Sequence, residues 1–531
     1  MALVTLVAVV SEDDSDLSPL LDSLHRQTDP GWELVIVDTT GGPEPRVRRR
    51  RTRTHVRQLA RTGADAAAAA ADGLGEASGD LVGFVSPSDL LAPAAVATLA
   101  RRATADVDLV YSDEDRITPD GGFVEPFYKP GWSPDRLRCQ PYTGRLTLVR
   151  RDLVDAVGGV HAGAGSAYEW DLVLRAGERA RRVEHVAEVL CHRRISAHDD
   201  DHDLGAERRV IEDHLDRTGF PATLERRDAP PLWRLRPALQ EEPLVSIVIP
   251  TAGRSRMVYG SPMNLIVNCV EQLVARSTYS NYEIVCVAGD EVDDGTRATL
   301  QELAGDRVRF VANPGRFNFS RAINLGALGA RGDYLLLLND DTEVITPDWI
   351  EAMLMYGQDP GVGAVGAKLL FADGRLQHCG IIAPGRGIVG HPCYGFRGDY
   401  GGDGGHLFLA ANYLAVTGAC LLTRRDRFEE VGGFATLFPL NYNDIDYCLK
   451  LHDRGYRVVL NPEARLYHFE WSSRISGTVE SDELRALDER WGAVFERGDR
   501  FYNPNFLPST DFLAPIRSAV EARRTAGVTS P

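Results

Sequence analysis

Hydrophobic and polar positions follow the same succession twice along the chain. In each half, a short β-branched run precedes an amphipathic helical stretch, which is followed by a second apolar run. These segments are residues 4–7, 17–27 and 34–37 in the first half, and residues 245–248, 264–276 and 284–287 in the second. Such an alternation is typical of a mainly parallel sheet flanked by helices. The pattern therefore predicts two α/β units in tandem.

An internal repeat supports this division. Residues 143–159 align without a gap on residues 417–433, and nine of the seventeen positions are identical. Self-similarity of this kind indicates two copies of one fold. Between the copies, Pro230-Pro231 and mixed charges interrupt the periodicity. We therefore expect a first domain over residues 1–232, a linker over 233–243, a second domain over 244–505 and a C-terminal tail over 506–531.

Composition and charge narrow the class of protein. A chain of 531 residues exceeds the ~100–200 residues of one ordinary domain. Its 44% hydrophobic and 25% charged residues are typical of packed globular proteins. The formal net charge of −17 disfavours nucleic acid as a partner, because binding to phosphate backbones depends on Lys and Arg.

Cysteine usage and hydropathy bear on the compartment. The eight cysteines form no CxxC pair, which favours reduced core thiols and a reducing compartment. The apolar start at residues 3–10 runs directly into Glu12 and Asp13, which suits a strand better than a signal peptide. No uncharged run approaches the ~20 residues that a membrane-spanning helix needs. We therefore expect a cytoplasmic protein.

One apolar run ends abruptly in carboxylates. Residues 334–338 are apolar, and Asn339, Asp340 and Asp341 follow them directly. In open α/β sheets, ligands bind beyond the carboxyl ends of strands, and Mg²⁺ or Mn²⁺ takes carboxylate oxygens together with substrate phosphates. The run therefore predicts a cation site. The alternative is an acidic turn that caps a helix beginning near Thr346.

Two later positions add candidate chemistry, each with a structural alternative. Asp444 and Asp446 lie just before or within a predicted helix start, where capping and the helix dipole also favour an acid. His468 follows the apolar run 458–460 and the turn expected at Pro462. A lone histidine there is more often a satisfied core or surface group than a ligand.

Taken in order, these segments resemble family 2 glycosyltransferases. The resemblance spans about residues 244–491 and is closest to the branch that builds rhamnose-containing and other bacterial surface polysaccharides. The matching segments are 245–251 (VSIVIPT), 282–285 (YEIV), 317–326 (FNFSRAINLG), 339–343 (NDDTE), 363–369 (GAVGAKL), 417–420 (TGAC), Asn443-Asp444 and His468. Their joint order is far more specific than any one motif. It implies a GT-A-type, Rossmann-like fold for both copies.

The resemblance implies roles for the second copy. Asp341 corresponds to the metal-binding end of the DxD motif, where Asn339 replaces the usual first aspartate. His468 corresponds to the second metal ligand, with Mn²⁺ or Mg²⁺ as the cofactor. Asp444 corresponds to the base that takes the proton from the acceptor hydroxyl.

The resemblance also implies a nucleotide-sugar site. Its residues are Pro250, Thr251, Asp290, Arg321, Asn324, Asp340 and Arg474. The acid that usually reads the base is replaced by Ala288, so that Asp290 is the candidate stand-in. The QxxRW motif of processive synthases is absent, since residues 487–491 read LDERW. Processive synthesis is therefore not expected.

The implied reaction is metal-dependent, inverting transfer of a sugar from a nucleotide-sugar donor to a glycan or lipid-linked acceptor. One base and no separate nucleophile favour a single displacement. Two alternatives remain: a nucleotidyltransferase that uses the same metal and diphosphate chemistry, and a non-catalytic carbohydrate-binding or scaffolding protein. The oligomeric state is not predicted.

The first copy departs from the pattern. A gapless alignment puts Ser88 in the place of Asp341, and a hydroxyl is a poorer ligand for a hard cation. Ala71 similarly replaces Asn324. Asp38, Glu169 and His192 match Ala288, Asp444 and His468. We expect a degenerate copy that serves in acceptor binding or domain packing, with a second active site of altered metal needs as the alternative.

A dense basic run lies between Arg46 and Arg57. It could dock peripherally on anionic lipid headgroups at the inner face of the membrane, near a lipid-linked acceptor. The alternative is a solvated loop.

Overall fold

The computed structural model describes residues 2–12, 16–41, 55–195, 203–227, 232–385, 388–469 and 481–506. The chain forms two compact units. The first unit comprises Met1–Gly219 and Arg226–Trp233, and the second comprises Phe220–Glu225 and Arg234–Pro531. Two short strands, Ala222–Arg227 and Leu232–Pro237, pair with each other where the chain passes between the units.

The first unit alternates strands and helices as its periodicity predicts. Its strands are β1 (Val4–Val10), β2 (Trp32–Asp38), β3 (Val56–Ala60), β4 (Leu81–Val85), β5 (Leu90–Leu91), β6 (Leu109–Ile117), β7 (Phe123–Phe127), β8 (Thr147–Arg150) and β9 (Val183–Arg194). Its helices are α1 (Ser18–His25), α2 (Ala66–Gly75), α3 (Ala95–Arg102), α4 (Pro134–Leu137), α5 (Arg151–Ala156), α6 (Tyr168–Gly177) and α7 (Leu204–Thr218), with a 3₁₀ segment at Ala162–Ala167.

The second unit repeats this alternation. Its strands follow β10 (Ala222–Arg227) and β11 (Leu232–Pro237), and are β12 (Val245–Thr251), β13 (Ser255–Val258), β14 (Ser261–Asn264), β15 (Tyr282–Ala288), β16 (Val308–Ala312), β17 (Tyr334–Leu338), β18 (Thr342–Val344), β19 (Val362–Leu370), β20 (Leu376–His378), β21 (Ile382–Gly385), β22 (Ile388–Gly390), β23 (Ala411–Asn412), β24 (Cys420–Arg424) and β25 (Arg457–His468). Its helices are α8 (Leu265–Arg276), α9 (Asp294–Ala304), α10 (Phe319–Gly329), α11 (Trp349–Gly357), α12 (Arg425–Glu430), α13 (Asn443–Asp453) and α14 (Ser481–Glu496), with 3₁₀ segments at Gly305–Arg307 and Asp403–Phe408.

The two large sheets have the same strand order. The first runs β3-β2-β1-β4-β8-β6-β9-β5, and the second runs β16-β15-β12-β17-β24-β19-β25-β18. Strands that occupy equivalent places in the two sheets also follow one another in the same order along the two copies. The duplicated α/β architecture that the repeat predicts is therefore confirmed.

Both sheets are mixed, with a parallel part and an antiparallel part. In the second unit, β16, β15, β12 and β17 pair in parallel, whereas β24 runs antiparallel to both β17 and β19. The parallel strands β12, β15 and β17 are buried along their whole length, because helices cover such sheets on both faces. Because their apolar runs are uninterrupted, these strands could be predicted from the sequence.

Strand β25 differs from its sequence pattern at Pro462. The sequence predicts a turn there, but the strand continues to His468. The register against β19 shifts at this point, from Ala367 opposite Asn461 to Lys368 opposite Arg465. Proline is tolerated in a strand at such a bulge, since no ladder hydrogen bond is required of it. Because β25 continues past Pro462, His468 belongs to the sheet and lies opposite Thr342.

The predicted thiol state of the cysteines is confirmed. All eight are free and buried. Across the ranges that the structure describes, no helix is both long enough and apolar enough to cross a bilayer.

A glycine on helix α2 allows that helix to lie close to the sheet. A Cβ atom added at Gly73 would come within 2.5 Å of Cγ1 of Val7 and 2.8 Å of Cγ2 of Val37. We expect Gly73→Ala to lower the free energy of unfolding of the first unit by about 1–3 kcal/mol, as overpacking does. Urea unfolding followed by tryptophan fluorescence measures this change.

The same helix supplies the control. A Cβ atom at Gly75 meets nothing within 4 Å. Gly75→Ala should therefore leave the unfolding midpoint unchanged or raise it slightly, because alanine is the better helix former. Equal losses in the two variants would contradict the packing explanation.

Candidate active site

The acidic turn lies between strands β17 and β18. After Leu338, residues 339–341 connect β17 to β18, which pairs antiparallel with the end of β25 and sets Thr342 opposite His468. The helix-capping alternative for Asp341 is wrong, because β18 intervenes and helix α11 begins only at Trp349. The hydroxyl of Thr342 closes the turn by donating to the carbonyl of Asn339 at 2.9 Å.

Asp341 and His468 meet at this edge of the sheet. Oδ1 of Asp341 lies 3.1 Å from Nε2 of His468, and the two side chains are only 6% and 12% exposed. They come from positions more than one hundred residues apart in the chain. The antiparallel pairing of β18 with β25 brings them together.

Gln377 on strand β20 determines how His468 is oriented. Nδ1 of His468 lies 2.7 Å from Oε1 of Gln377. The amide nitrogen of Gln377 donates to the backbone carbonyl of His468 at 3.2 Å, so that Oε1 must face the ring. This assignment places the imidazole proton on Nδ1, where Gln377 accepts it. Nε2 is then left with its lone pair directed toward Asp341.

Asn339 completes the surroundings of the imidazole. Its Nδ2 lies 3.1 Å from Nε2 of His468. Oδ1 of Asn339 is buried without a hydrogen-bond partner in the described part of the chain. A buried amide oxygen with no donor is costly unless a ligand satisfies it.

Asp340 lies beside this pair and is held by strand β12. The hydroxyl of Thr251 donates to Oδ2 of Asp340 at 2.6 Å. Burial and the charge of the adjacent Asp341 raise the pKa of Asp340 to about 7. Two neighbouring carboxylates with this mutual repulsion favour a cation or a proton between them.

These donors fit a divalent cation of the Mg²⁺ or Mn²⁺ type. Asp341 offers a carboxylate oxygen and His468 an imidazole lone pair at 3.1 Å from it. The described residues contain no group of three or more His, Cys, Asp or Glu side chains that could hold a metal alone. Two protein ligands suit a cation that takes its other ligands from water and substrate phosphates.

Gln377 could not be found from the sequence, because it belongs to no motif and precedes a glycine-rich segment. We expect Gln377→Ala to weaken Mn²⁺ binding about 10–100-fold, as the loss of a partner that orients a ligating histidine typically does. Gln377→Glu should restore most of the affinity, since a carboxylate also accepts the Nδ1 proton. Titration of Mn²⁺ by electron paramagnetic resonance measures both variants.

A glutamine outside the site is the control. Gln301 is exposed on helix α9 and donates to the carbonyl of Gly305. Gln301→Ala should bind Mn²⁺ as the unsubstituted protein does. If Gln377→Ala also binds Mn²⁺ normally, the orienting role of Gln377 is wrong.

Asp444 lies in the first turn of helix α13 and points toward the segment before β24. Its Oδ2 accepts the backbone N–H of Gly418 at 3.0 Å, and its Oδ1 accepts that of Ile445 at 2.9 Å. The carboxylate is partly exposed. The helix begins after Tyr442, a residue with φ of 60°, so that Asp444 is not the capping residue. The Thr417-Gly418 segment thus orients this carboxylate.

Helix α14 fixes the position of helix α13. The buried Asp446 accepts hydrogen bonds from Nε1 of Trp491 and pairs with Nε of Arg490, each at 2.9 Å. Glu483 accepts the backbone N–H groups of Leu440 and Asn441, which precede α13. The sequence identified residues 487–491 only as a departure from QxxRW. Their contacts instead hold the helix that carries Asp444.

The other predicted donor-site residues lie in different surroundings. Pro250 is buried at the carboxyl end of β12, beside Thr251. Asp290 and Arg321 both organise the loop after β16: Oδ2 of Asp290 accepts the N–H of Gly315, and Arg321 donates to Oδ1 of Asn313.

The environment of Asn324 differs from that of Asp290 and Arg321. Its amide makes paired hydrogen bonds with the backbone N–H and carbonyl of Phe434, at 2.9 and 2.8 Å. Arg474 lies outside the described residues, as does the part of the basic run from Arg46 to Thr54. Exposed Arg57, at the end of that run, pairs with Glu33 and Glu76.

Comparison with known proteins identifies a matching family and two similar proteins. Residues 246–431 match the family Glycosyl transferase family 2. The chain is similar to the O-antigen biosynthesis protein RfbC of Myxococcus xanthus, at 33% identity over 528 residues that cover 96% of this chain and 41% of the relative. It is also similar to the uncharacterized protein y4gI of Sinorhizobium fredii (strain NBRC 101917 / NGR234), at 33% identity over 549 residues that cover 96% of this chain and 58% of the relative.

The chain thus spans about half the length of these curated relatives. Among solved structures, that of GalNAc-T7 with UDP, GalNAc and Mn²⁺ aligns with 57% of this chain and 57% of its own, at 15% identity and a TM-score of 0.40.

Proposed function

The chain carries a glycosyltransferase domain of family 2, and on that premise we propose that its second unit transfers a sugar from a nucleotide-sugar donor to a hydroxyl group of a glycan or lipid-linked acceptor. The observation that carries the proposal is the convergence of Asp340, Asp341 and His468 at the carboxyl end of β17. This is where ligands bind in open α/β sheets.

The donor lies at the acidic turn. Asp341 and His468 would hold Mn²⁺ or Mg²⁺, with the amide oxygen of Asn339 nearby, and Asp340, which accepts a hydrogen bond from Thr251, would face the ribose and diphosphate. When bound, the cation neutralises the charge that grows on the departing nucleoside diphosphate. Pro250, Asp290, Arg321, Asn324 and Arg474 complete the donor site. Asp290, Arg321 and Asn324 do so through the backbone that their side chains organise.

Asp444 acts as the general base. Gly418 orients its carboxylate, which accepts the proton of the acceptor hydroxyl as that oxygen attacks the anomeric carbon. The bond to the diphosphate breaks as the new glycosidic bond forms. A single displacement of this kind inverts the anomeric configuration, because the acceptor attacks from the face opposite the leaving group.

The acceptor belongs to the assembly of bacterial surface polysaccharide. Similarity to a protein named for O-antigen biosynthesis supports this assignment, and the net charge of −17 argues against a nucleic acid acceptor. The enzyme works in the cytoplasm, at the inner face of the membrane where a lipid-linked acceptor is presented. The basic run from Arg46 to Arg57 supplies the peripheral contact with anionic lipid.

The test is release of nucleoside diphosphate from a panel of UDP-, GDP- and dTDP-sugars. The full chain is incubated with each donor and Mn²⁺, and then again after chelation of the metal. Slow hydrolysis without acceptor is expected from one donor and should cease on chelation. Restoring Mn²⁺ should restore the release, which separates loss of the metal from loss of the fold.

The opposite result has a clear meaning. If no donor is hydrolysed and none binds by calorimetry in the presence of Mn²⁺, the second unit is not a transferase. The alternative of a non-catalytic carbohydrate-binding protein then replaces it. Release of pyrophosphate from a sugar phosphate and a nucleoside triphosphate would instead identify a nucleotidyltransferase.

A further inference from the structure

The turn after β4 in the first unit is one residue longer than its counterpart after β17. Residues 86–89 separate β4 from β5, whereas residues 339–341 separate β17 from β18. Leu90 pairs with His192, just as Thr342 pairs with His468. Asp89 therefore precedes its strand as Asp341 does, and the expectation that Ser88 takes the place of Asp341 is wrong. The gapless alignment could not detect the added residue.

The carboxylate of Asp89 is nevertheless already paired. Its side chain is 2% exposed, and its Oδ2 lies 3.5 Å from Nη1 of Arg145. The same oxygen accepts the backbone N–H of Ser86 at 2.7 Å. Nη2 of Arg145 lies 2.9 Å from Oε1 of Glu169, which matches Asp444 in the second unit. One guanidinium thus bridges the counterparts of the metal ligand and the base.

The second unit carries a different residue type at the position equivalent to Arg145. In the repeat of residues 143–159 and 417–433, Arg145 aligns with Ala419. A methyl group cannot neutralise Asp341 or Asp444. The two units therefore carry the same kinds of carboxylates but differ in the charge of the residue at the position of Arg145.

The remaining polar groups of the first site are also paired internally. Nδ1 of His192 lies 2.6 Å from Oδ1 of Asp115, in the place that Gln377 takes at His468. Lys129 is fully buried and pairs with Glu114 at 3.0 Å, and Arg193 pairs with the other oxygen of Glu114 at 3.2 Å. Charges satisfied within the fold have little to gain from an added cation.

We propose that the guanidinium of Arg145 permanently neutralises Asp89 and Glu169, so that the first unit does not bind the metal and a latent cation site of Asp89 and His192 becomes available only when Arg145 is removed. The metal-dependent chemistry of the chain is then confined to the second unit. The metal-binding role of the second site rests on the proposed function. The neutralisation of Asp89 and Glu169 by Arg145 rests on contacts within the first unit alone.

The experiment counts Mn²⁺ bound by the full chain, with the metal alone as the probe and electron paramagnetic resonance as the readout. The unsubstituted protein should bind one Mn²⁺, and Asp341→Ala should bind none. Arg145→Ala installs the residue of the second unit and should raise the count from one to two. In the Asp341→Ala background, Arg145→Ala should raise it from zero to one.

Three further variants identify the new site. Adding Asp89→Ala to Arg145→Ala should abolish the extra Mn²⁺, because the carboxylate ligand is lost. Arg145→Lys keeps a positive charge and should create no site. Arg151→Ala, which removes an arginine paired with Asp155 on helix α5, should also leave the count unchanged. Circular dichroism establishes that each variant is folded.

Several outcomes would overturn the proposal. One is a Mn²⁺ bound by the Asp341→Ala protein and lost on Asp89→Ala, since the first unit would then bind metal with Arg145 in place. Another is a folded Arg145→Ala protein that binds no additional Mn²⁺. The proposed function fails separately: if the second unit does not bind metal, the unsubstituted protein binds none and Arg145→Ala still gains one.

Discussion

Replacing Asp444 with asparagine is expected to lower the rate of sugar transfer about 10²–10⁴-fold, the contribution that a positioned general base typically makes. Asparagine retains the size of the side chain and an oxygen that can accept the N–H of Gly418. It cannot take the proton of the acceptor hydroxyl. Because the donor site is untouched, the affinity for donor and Mn²⁺ should change little. Transfer to an acceptor and donor binding by calorimetry measure the two effects.

The same helix provides a matched control. Asp453 is exposed at the last position of α13, and Asp453→Asn removes an equal charge. This variant should transfer sugar at the normal rate. A normal rate in Asp444→Asn would refute the assignment of the base, whereas a parallel loss of donor affinity would show that Asp444 acts in binding.

Asp341→Ala is expected to abolish Mn²⁺ binding by the second unit and to lower the rate of transfer about 10²–10³-fold. A metal ion contributes several kcal/mol of charge stabilisation, and each 1.4 kcal/mol corresponds to a factor of ten in rate. Asp341 is the carboxylate that faces His468 at 3.1 Å. Steady-state rates at saturating donor and Mn²⁺ titration measure the loss.

Asp333→Ala is the control at the other end of the same strand. Asp333 is exposed and precedes β17, whereas Asp341 follows it. Its removal should affect neither metal binding nor rate. If Asp341→Ala retains a Mn²⁺-dependent rate within a factor of a few, the cation is held elsewhere.

Local periodicity predicted the parallel part of both sheets. The runs that became β12, β15 and β17 are apolar throughout because both of their faces are buried, and that signal is present in any short window of sequence. The antiparallel strands β24 and β25 could not be ordered in this way. Their neighbours in the sheet are remote in sequence, and pairing partners leave no local trace.

The candidate site was likewise predictable only in part from the sequence. Asp341, Asp444 and His468 are recognisable by residue type and order. Whether an acid at the start of a helix is a cap or a base depends on what faces it, and for Asp444 that is the backbone of Gly418. The role of Gln377 depends on strand β20 passing beside His468.

The sequence by itself determined that the chain contains two copies of one α/β fold and that the second copy carries an acidic turn, a helix-borne acid and a late histidine in the order of a known family. Only the tertiary structure decided that Asp341 meets His468, that Gln377 orients the imidazole, and that Arg145 bridges Asp89 and Glu169 in the first unit. The reason is physical: residue type and periodicity record what each segment buries, whereas the distance between two side chains is decided by the register of strands that are far apart in the chain.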